Sequence, residues 1–267
     1  MIHFYRSLLL FLLCLSSQAS MAVTLHLVYE DKSQPPYYLG DSAKVLSYQP
    51  GIAVEMLQSL GERIDGLEIK LSRMPWKRAL YSLKSNRIDG IFNASYKPER
   101  LDFGWYPTTN AKLDGPVDIS RRITTISYSL YQLKDQPINW TGQWPDLKDT
   151  LVGAPLGYSI VSDLKKQGIR VEESNSTHSN LSMLINHRLN VVALQTITGD
   201  SHLATHHHDA RYQMIEKLYP PLVSKPYYLM LSHAFVAKNP KMAQRIWDEI
   251  KYIREQDTDS LYQAYQE

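Results

Sequence analysis

Residues 51–72 read GIAVEMLQSLGERIDGLEIKLS. Apolar residues recur at helical spacing from Gly51 to Leu60, Gly61 reads as the helix stop, and Leu67 to Ser72 alternates as a half-buried strand does. Toward the N-terminus, Val23 to Tyr29 (VTLHLVY) is another alternating strand. Gln34 to Tyr38 (QPPYY) breaks it into a loop, because proline fixes φ and removes a donor. Toward the C-terminus, Pro75 opens a helix over Trp76–Ser85, and Ile88 to Phe92 (IDGIF) is a third strand. This β-α-β-α-β order predicts a parallel sheet with right-handed crossovers and a ligand crevice at the carboxyl ends of its strands.

The alternation happens twice. Ile123 to Leu133 (ITTISYSLYQL) has the β-branched and aromatic content of a long strand or linker strand. A short helical turn at Pro145–Lys148 leads into strand Leu151–Ala154, helix Ser159–Gln167, strand Ile169–Glu172, helix Asn180–His187 and strand Val191–Gln195. Tyr227 to Ala237 (YYLMLSHAFVA) reads as one strand. Pro240 to Glu255 reads as an amphipathic helix with Met242, Ile246, Ile250 and Ile253 on one stripe. A chain of 267 residues is long for one domain of about 100–150 residues, so two α/β lobes are expected, crossing near Pro116 and Val223. The division is residues 1–22 signal, 23–116 the first part of lobe 1, 117–222 lobe 2, and 223–267 a return to lobe 1.

Composition narrows the function. There are 29 Lys+Arg against 27 Asp+Glu, a net charge of +2, 43% hydrophobic residues and one cysteine. That is a globular composition, without the concentrated basic face that nucleic acid needs. The lone Cys14 supports neither a disulfide framework nor a cysteine zinc site. Arg6, the apolar run Leu8–Leu15 and the small residues of SSQASMA (Ser16–Ala22) have the layout of a secretory signal cleaved after Ala22, or alternatively after Ala19. Lipid anchoring at Cys14 is disfavoured by the bulky Leu13 before it. A periplasmic location is therefore expected.

Several short motifs follow one another in a family-like order: Asp31 with Pro35-Pro36-Tyr37, Pro50-Gly51-Ile52-Ala53-Val54-Glu55-Met56-Leu57, Pro75-Trp76-Lys77-Arg78, Arg87-Ile88-Asp89-Gly90, Asn93-Ala94-Ser95-Tyr96-Lys97-Pro98-Glu99-Arg100, and Asp146-Leu147-Lys148 ahead of Val152-Gly153. With these the chain resembles the periplasmic solute-binding proteins of family 3, which includes the polar amino-acid receptors of ABC transporters. The resemblance implies a two-lobed α/β fold of the type II periplasmic-binding class, a hinge of two linker strands, and a small polar ligand enclosed between the lobes. It also implies that Arg100 binds a ligand carboxylate, that Asn93 and Ser95 supply hydrogen bonds, and that Asp31 and Tyr37 meet the ligand's polar or cationic end.

Other candidates come from the residues themselves. The guanidinium of Arg100 is a planar fork matched to a carboxylate; its bland alternative is a surface pair with Glu99 or Asp102. Gly157-Tyr158-Ser159 sits between a strand and a helix, where the helix-start amides and the Ser159 hydroxyl form an anion site or simply a cap. Asp31 has the competing role of turn former. Trp76 is a ligand platform or a core residue, and Arg78 a second anion contact or a solvated side chain. Amino-acid receptors hold the ligand ammonium with an acidic residue after an Arg-Leu-Asp-like segment, whereas this chain has Arg188-Leu189-Asn190 and ends the following strand at Leu194-Gln195-Thr196. A carboxylate ligand lacking that amine is thereby admitted, with Gln195 facing it.

His202, His206, His207 and His208 form a cluster able to bind zinc or nickel. Read as a solvated polar loop, the cluster holds no metal, and that reading is preferred. No phosphate loop, nucleophile elbow or His-Glu-x-x-His pair is present, so no cofactor and no enzymatic activity are expected. A dehydratase-like enzyme using Glu30 or Asp31 near Arg100 and a sensing module for a membrane partner are the alternatives to ABC-type uptake. The expected partners are a small-molecule ligand and an ABC permease or membrane sensor, with a monomeric chain.

Overall fold

The computed structural model describes residues 22–257 together with Gln263 and Tyr265. The signal reading of residues 1–22, except Ala22, and Cys14 with it lie outside the described residues. β1 (Val23–Glu30) runs parallel to β2 (Leu67–Met74) on one side and to β3 (Gly90–Ser95) on the other. Leu25, Leu27 and Tyr29 enter one apolar cluster and Val28 a second on the opposite face. The sheet is thus covered on both sides, by α1 (Ile52–Arg63) and α2 (Trp76–Lys84) among others. Burial of both faces is what a parallel sheet requires.

The second half repeats the plan. β5 (Leu151–Pro155) is parallel to β6 (Arg170–Ser174) and to β7 (Val191–Gln195). They are joined through α3 (Ser159–Lys166) and α4 (Thr177–Ile185), and β7 is followed by α5 (Thr196–Thr205), α6 (Ala210–Gln213) and β8 (Ile215–Lys217). Two long antiparallel strands, β4 (Thr124–Leu133) and β9 (Val223–Leu231), join the halves. β9 pairs with β4 up to Tyr227 and with β3 from Tyr227 onward. The order is therefore β2-β1-β3-β9-β4-β7-β5-β6, with β8 on β4. The chain closes with α7 (His233–Lys238) and α8 (Pro240–Gln256). α8 returns to the first half, where Trp247 Nε1 donates to Leu229 O at 3.0 Å and Arg63 of α1 pairs with Glu249 at 3.6 Å.

Three elements differ from the sequence reading. Gly61 does not stop α1, which runs to Arg63 and caps at Ile64; a Cβ at Gly61 would lie 3.6 Å from Ile69 and Leu67, so the small residue serves the contact with β2. The Tyr227–Ala237 run is not one strand, because Ser232 Oγ accepts from Phe235 N at 3.1 Å and starts α7. α5 has no apolar stripe to announce it. It is held from outside, with the Tyr131 hydroxyl 2.9 Å from both Thr196 O and Asp200 Oδ1. Among the described residues no helix is long and apolar enough to cross a membrane.

Candidate functional site

The carboxyl ends of β1 and β3 face those of β5 and β7 across the junction, where the topology rule for α/β sheets places ligands. Glu30 is the last residue of β1 and Gln195 the last of β7. β3 contributes Asn93 and Ser95; the register shifts there, and Asn93 has φ of 53°, a left-handed conformation that Asn tolerates. A 3-10 turn, Pro98–Asp102, then carries Arg100 back over the strand end. From the other half come Tyr158 and Ser159, at the start of α3. These side chains, with Gln34, Tyr38, Trp76, Tyr128 and Tyr227, line one small cavity of about 10 Å³.

Arg100 is 6% exposed. Its Nη1 donates to Ser95 O at 2.8 Å and to Ser95 Oγ at 3.3 Å, and its Nη2 to Gly157 O of the other half at 3.3 Å. Its guanidinium carbon stands 5.4 Å from the centre of the Trp76 ring, a cation–π arrangement. Among the described residues no carboxylate pairs with it; Glu99, the surface alternative, pairs instead with Lys166 at 3.0 Å. A buried cation without a counter-ion is costly, and an anionic ligand offsets that cost.

Glu30 faces the same cavity and collects three donors: Gln34 Nε2 at 2.8 Å, the Tyr38 hydroxyl at 3.3 Å, and the Tyr158 hydroxyl from across the junction. Gln34 also donates to Tyr158. Burial pushes the Glu30 carboxyl up to about 7, the hydrogen bonds from Tyr158, Tyr38 and Gln34 pulling the other way and the Asp31 charge adding to the rise. The cavity thus joins a permanent cation to an acid that titrates near neutrality.

Four polar atoms at its wall are buried without a hydrogen-bond partner: Trp76 Nε1, both amide atoms of Asn93, and Gln195 Oε1. Buried polar groups are nearly always paired, so orphans gathered on one cavity indicate a polar occupant. Ser159 is already engaged, accepting from Lys225 Nζ at 3.1 Å, and Lys225 is paired with Asp163 of α3.

Of the residues singled out in the sequence, the structure brings Trp76, Asn93, Ser95, Arg100, Tyr158, Ser159 and Gln195 to this one cavity. Trp76 packs in the core and lines the cavity at once. Three others lie elsewhere. Tyr37 is 3% exposed within the main core, because its backbone carbonyl caps α1 by accepting from Ala53 N. Arg78 is exposed on the outer side of α2, and half-buried Asp31 is tied back to β2 through its amide to Met74 O. Gln34, Tyr38, Tyr128 and Tyr227 were missed as site residues, and Glu30 was named only for the dehydratase alternative. Glu30 carried the one usable signal, a carboxylate ending an otherwise apolar strand.

Gln34, Glu30, Tyr158 and Gln195 also form the partition to a wider outer cavity. One wall of it is the loop bearing Asp41; the other carries His178 of α4 and His202 and His206 at the end of α5. The cluster read from the sequence therefore divides: His207 and His208 are exposed and lie against each other, rings tilted by 45° with centres 3.6 Å apart. Burial lowers His202 to about 4, reinforced by His206 and His178 and opposed by Asp41, so this ring is neutral at pH 7.

Known proteins bear on the fold only through their structures, since no family model and no curated relative matches the sequence. A histidine kinase sensor domain with similarity to periplasmic binding proteins superposes with a TM-score of 0.69 at 13% identity, covering 91% of this chain and 96% of its own. An ancestral arginine-binding protein bound to arginine gives 0.68 at 15% identity, covering 91% and 98%. The substrate-binding protein of an amino acid ABC transporter gives 0.64 at 14% identity, covering 90% and 97%. The fold is that of the two-lobed periplasmic binding proteins. Residues on β4 and β9, namely Tyr128 and Tyr227, are therefore the floor of an interlobe cleft.

Proposed function

We propose that this chain is a periplasmic receptor that binds a small carboxylate-bearing solute, an amino acid or a relative, between lobes formed by residues 23–116 with 223–267 and by residues 117–222. The observation that carries the reading is Arg100, buried, hydrogen-bonded to carbonyls and unpaired by any described carboxylate. The solute carboxylate takes the free face of its guanidinium. Glu30 receives the cationic or donor end, the role that the acid missing beside Gln195 has in amino-acid receptors. Tyr158 moves off Glu30 when the solute enters, and the lobes close again by bending β4 and β9. The protein returns its ligand unchanged; a dehydratase would consume it.

Delivery to an ABC permease is one output of such closure and delivery to a membrane sensor another. Similarity to both a transporter component and a sensor domain leaves the binding step common to the two. A thermal-shift screen of amino acids, dicarboxylates and polyamines tests the reading. A ligand that binds only the folded state at a hundredfold excess over Kd stabilises it by about 2.7 kcal/mol. Carboxylates are expected to raise the melting temperature, and a response confined to polyamines refutes the reading.

A further inference from the structure

We propose that His178, His202 and His206 form a binding site for a borderline divalent cation such as zinc, open toward Asp41 on the facing wall of the outer cavity, so that the metal holds the two lobes together. This site is separate from the solute site and needs none of its groups. The three imidazoles each offer a ligand nitrogen, and these atoms all lie within 4.8 Å of one another. In a tetrahedral zinc site with nitrogens about 2.0–2.1 Å from the metal, the ligand atoms stand roughly 3.3 Å apart. His202 on α5 and His206, the residue that caps it, are four positions apart with ring centres 4.3 Å apart, and His178 approaches from α4 with its ring centre 5.6 Å from that of His202, so modest side-chain movement is what binding asks.

Two further observations point to a ligand. His202 Nε2 is buried without a hydrogen-bond partner, an unpaired nitrogen that a bound cation would satisfy. His206 Nδ1 lies 2.8 Å from His202 O and His178 Nδ1 3.4 Å from the Tyr212 hydroxyl. A backbone carbonyl beside one ring nitrogen keeps the proton there and turns the other nitrogen outward as a ligand, the arrangement that orients metal-bound histidines. An all-imidazole set selects zinc, copper or nickel over magnesium or calcium.

Three protein ligands leave a fourth position, and it opens on the cavity that the loop of the first lobe closes. Asp41 stands on that wall, outside the group of three nitrogens, and its Oδ1 accepts from Ser33 N at 2.9 Å, which orients the carboxylate.

The test is isothermal titration of the tag-free protein with zinc chloride, without solute, against a chelator of known affinity, with cobalt(II) absorption reporting the geometry. One zinc per chain and a tetrahedral cobalt spectrum are expected. His178→Ala, His202→Ala and His206→Ala should each weaken binding by at least the roughly 10–100-fold that losing even an outer-shell partner costs. The double variant His207→Ala/His208→Ala should bind as the parent does. His178 is exposed, so its truncation leaves the core intact, and His178→Asn with circular dichroism guards against misfolding. Binding that survives in the His178 variants, or that vanishes only in the His207/His208 variant, overturns the site, as does absence of binding. Zinc should also reduce the radius of gyration in solution scattering, and less so in Asp41→Asn; an equal reduction in both overturns the link between the lobes.

Discussion

Replacing Arg100 by alanine separates the receptor reading from a structural role for this side chain. In the free protein the guanidinium makes hydrogen bonds only to uncharged partners, and one of them keeps a second donor: Ser95 O also accepts from the Tyr106 hydroxyl at 2.7 Å. Gly157 O and the Ser95 hydroxyl oxygen lose the guanidinium as donor, each through a long 3.3 Å contact. A hydrogen bond contributes about 0.5–1.5 kcal/mol net, and removing an unpaired buried cation returns part of that, so the unliganded variant should unfold within about 1–2 kcal/mol of the parent. With solute bound the balance differs, because truncation leaves a desolvated carboxylate unpaired at a cost of about 2–5 kcal/mol. That is a loss of affinity of roughly 30-fold to several-thousand-fold. Arg100→Lys keeps the charge but cannot reproduce the fork, and should recover only a minor part. Calorimetric titration with the solute from the thermal-shift screen measures the affinity, and urea unfolding the stability. Near-parental affinity in Arg100→Ala refutes the assignment of Arg100 and with it the main reason to expect a carboxylate. A loss of stability as large as the loss of affinity refutes the argument that the residue serves binding more than folding.

Glu30 titrates higher in the folded chain than its ordinary 4.5, at about 7. The folded state therefore holds its proton more tightly, and this stabilisation, about 3 kcal/mol at most, is full below pH 4.5 and is lost as pH rises through 7. Urea midpoints between pH 5 and 8 should fall in the parent more steeply than in Glu30→Gln, and parallel slopes contradict the assignment. Tyr158→Phe removes the hydroxyl that joins Glu30 and Gln34 across the cleft; scattering without ligand should show a larger radius of gyration than the parent, and an equal radius means that this contact does not hold the lobes. Gly51→Ala should cost several kcal/mol by urea unfolding, because φ is 118° and a Cβ would stand 2.4 Å from Tyr38 Cα; an unchanged midpoint shows that the loop before α1 has slack.

Periodicity and punctuation determined most of the architecture. The alternating VTLHLVY, the helical spacing from Gly51 to Leu60 and their second appearance after Leu133 specify two α/β units, because each pattern has one face to bury and these elements bury it. Local chemistry also marked Arg100 and the Gly157-Tyr158-Ser159 turn, while Asn93 and Ser95 came from the family resemblance. What sequence distance hides was decided by the tertiary structure. Glu30 and Tyr158 are 128 positions apart, and only pairing of β4 with β9 brings their lobes together. The same holds for His178, which no spacing relates to His202 and His206. Asp31 and Glu30 are adjacent carboxylates with opposite fates, since β1 turns one into the cleft and ties the other's backbone to β2. Alternation along a strand says that neighbours face opposite ways; which face becomes a site depends on what the rest of the chain lays against it.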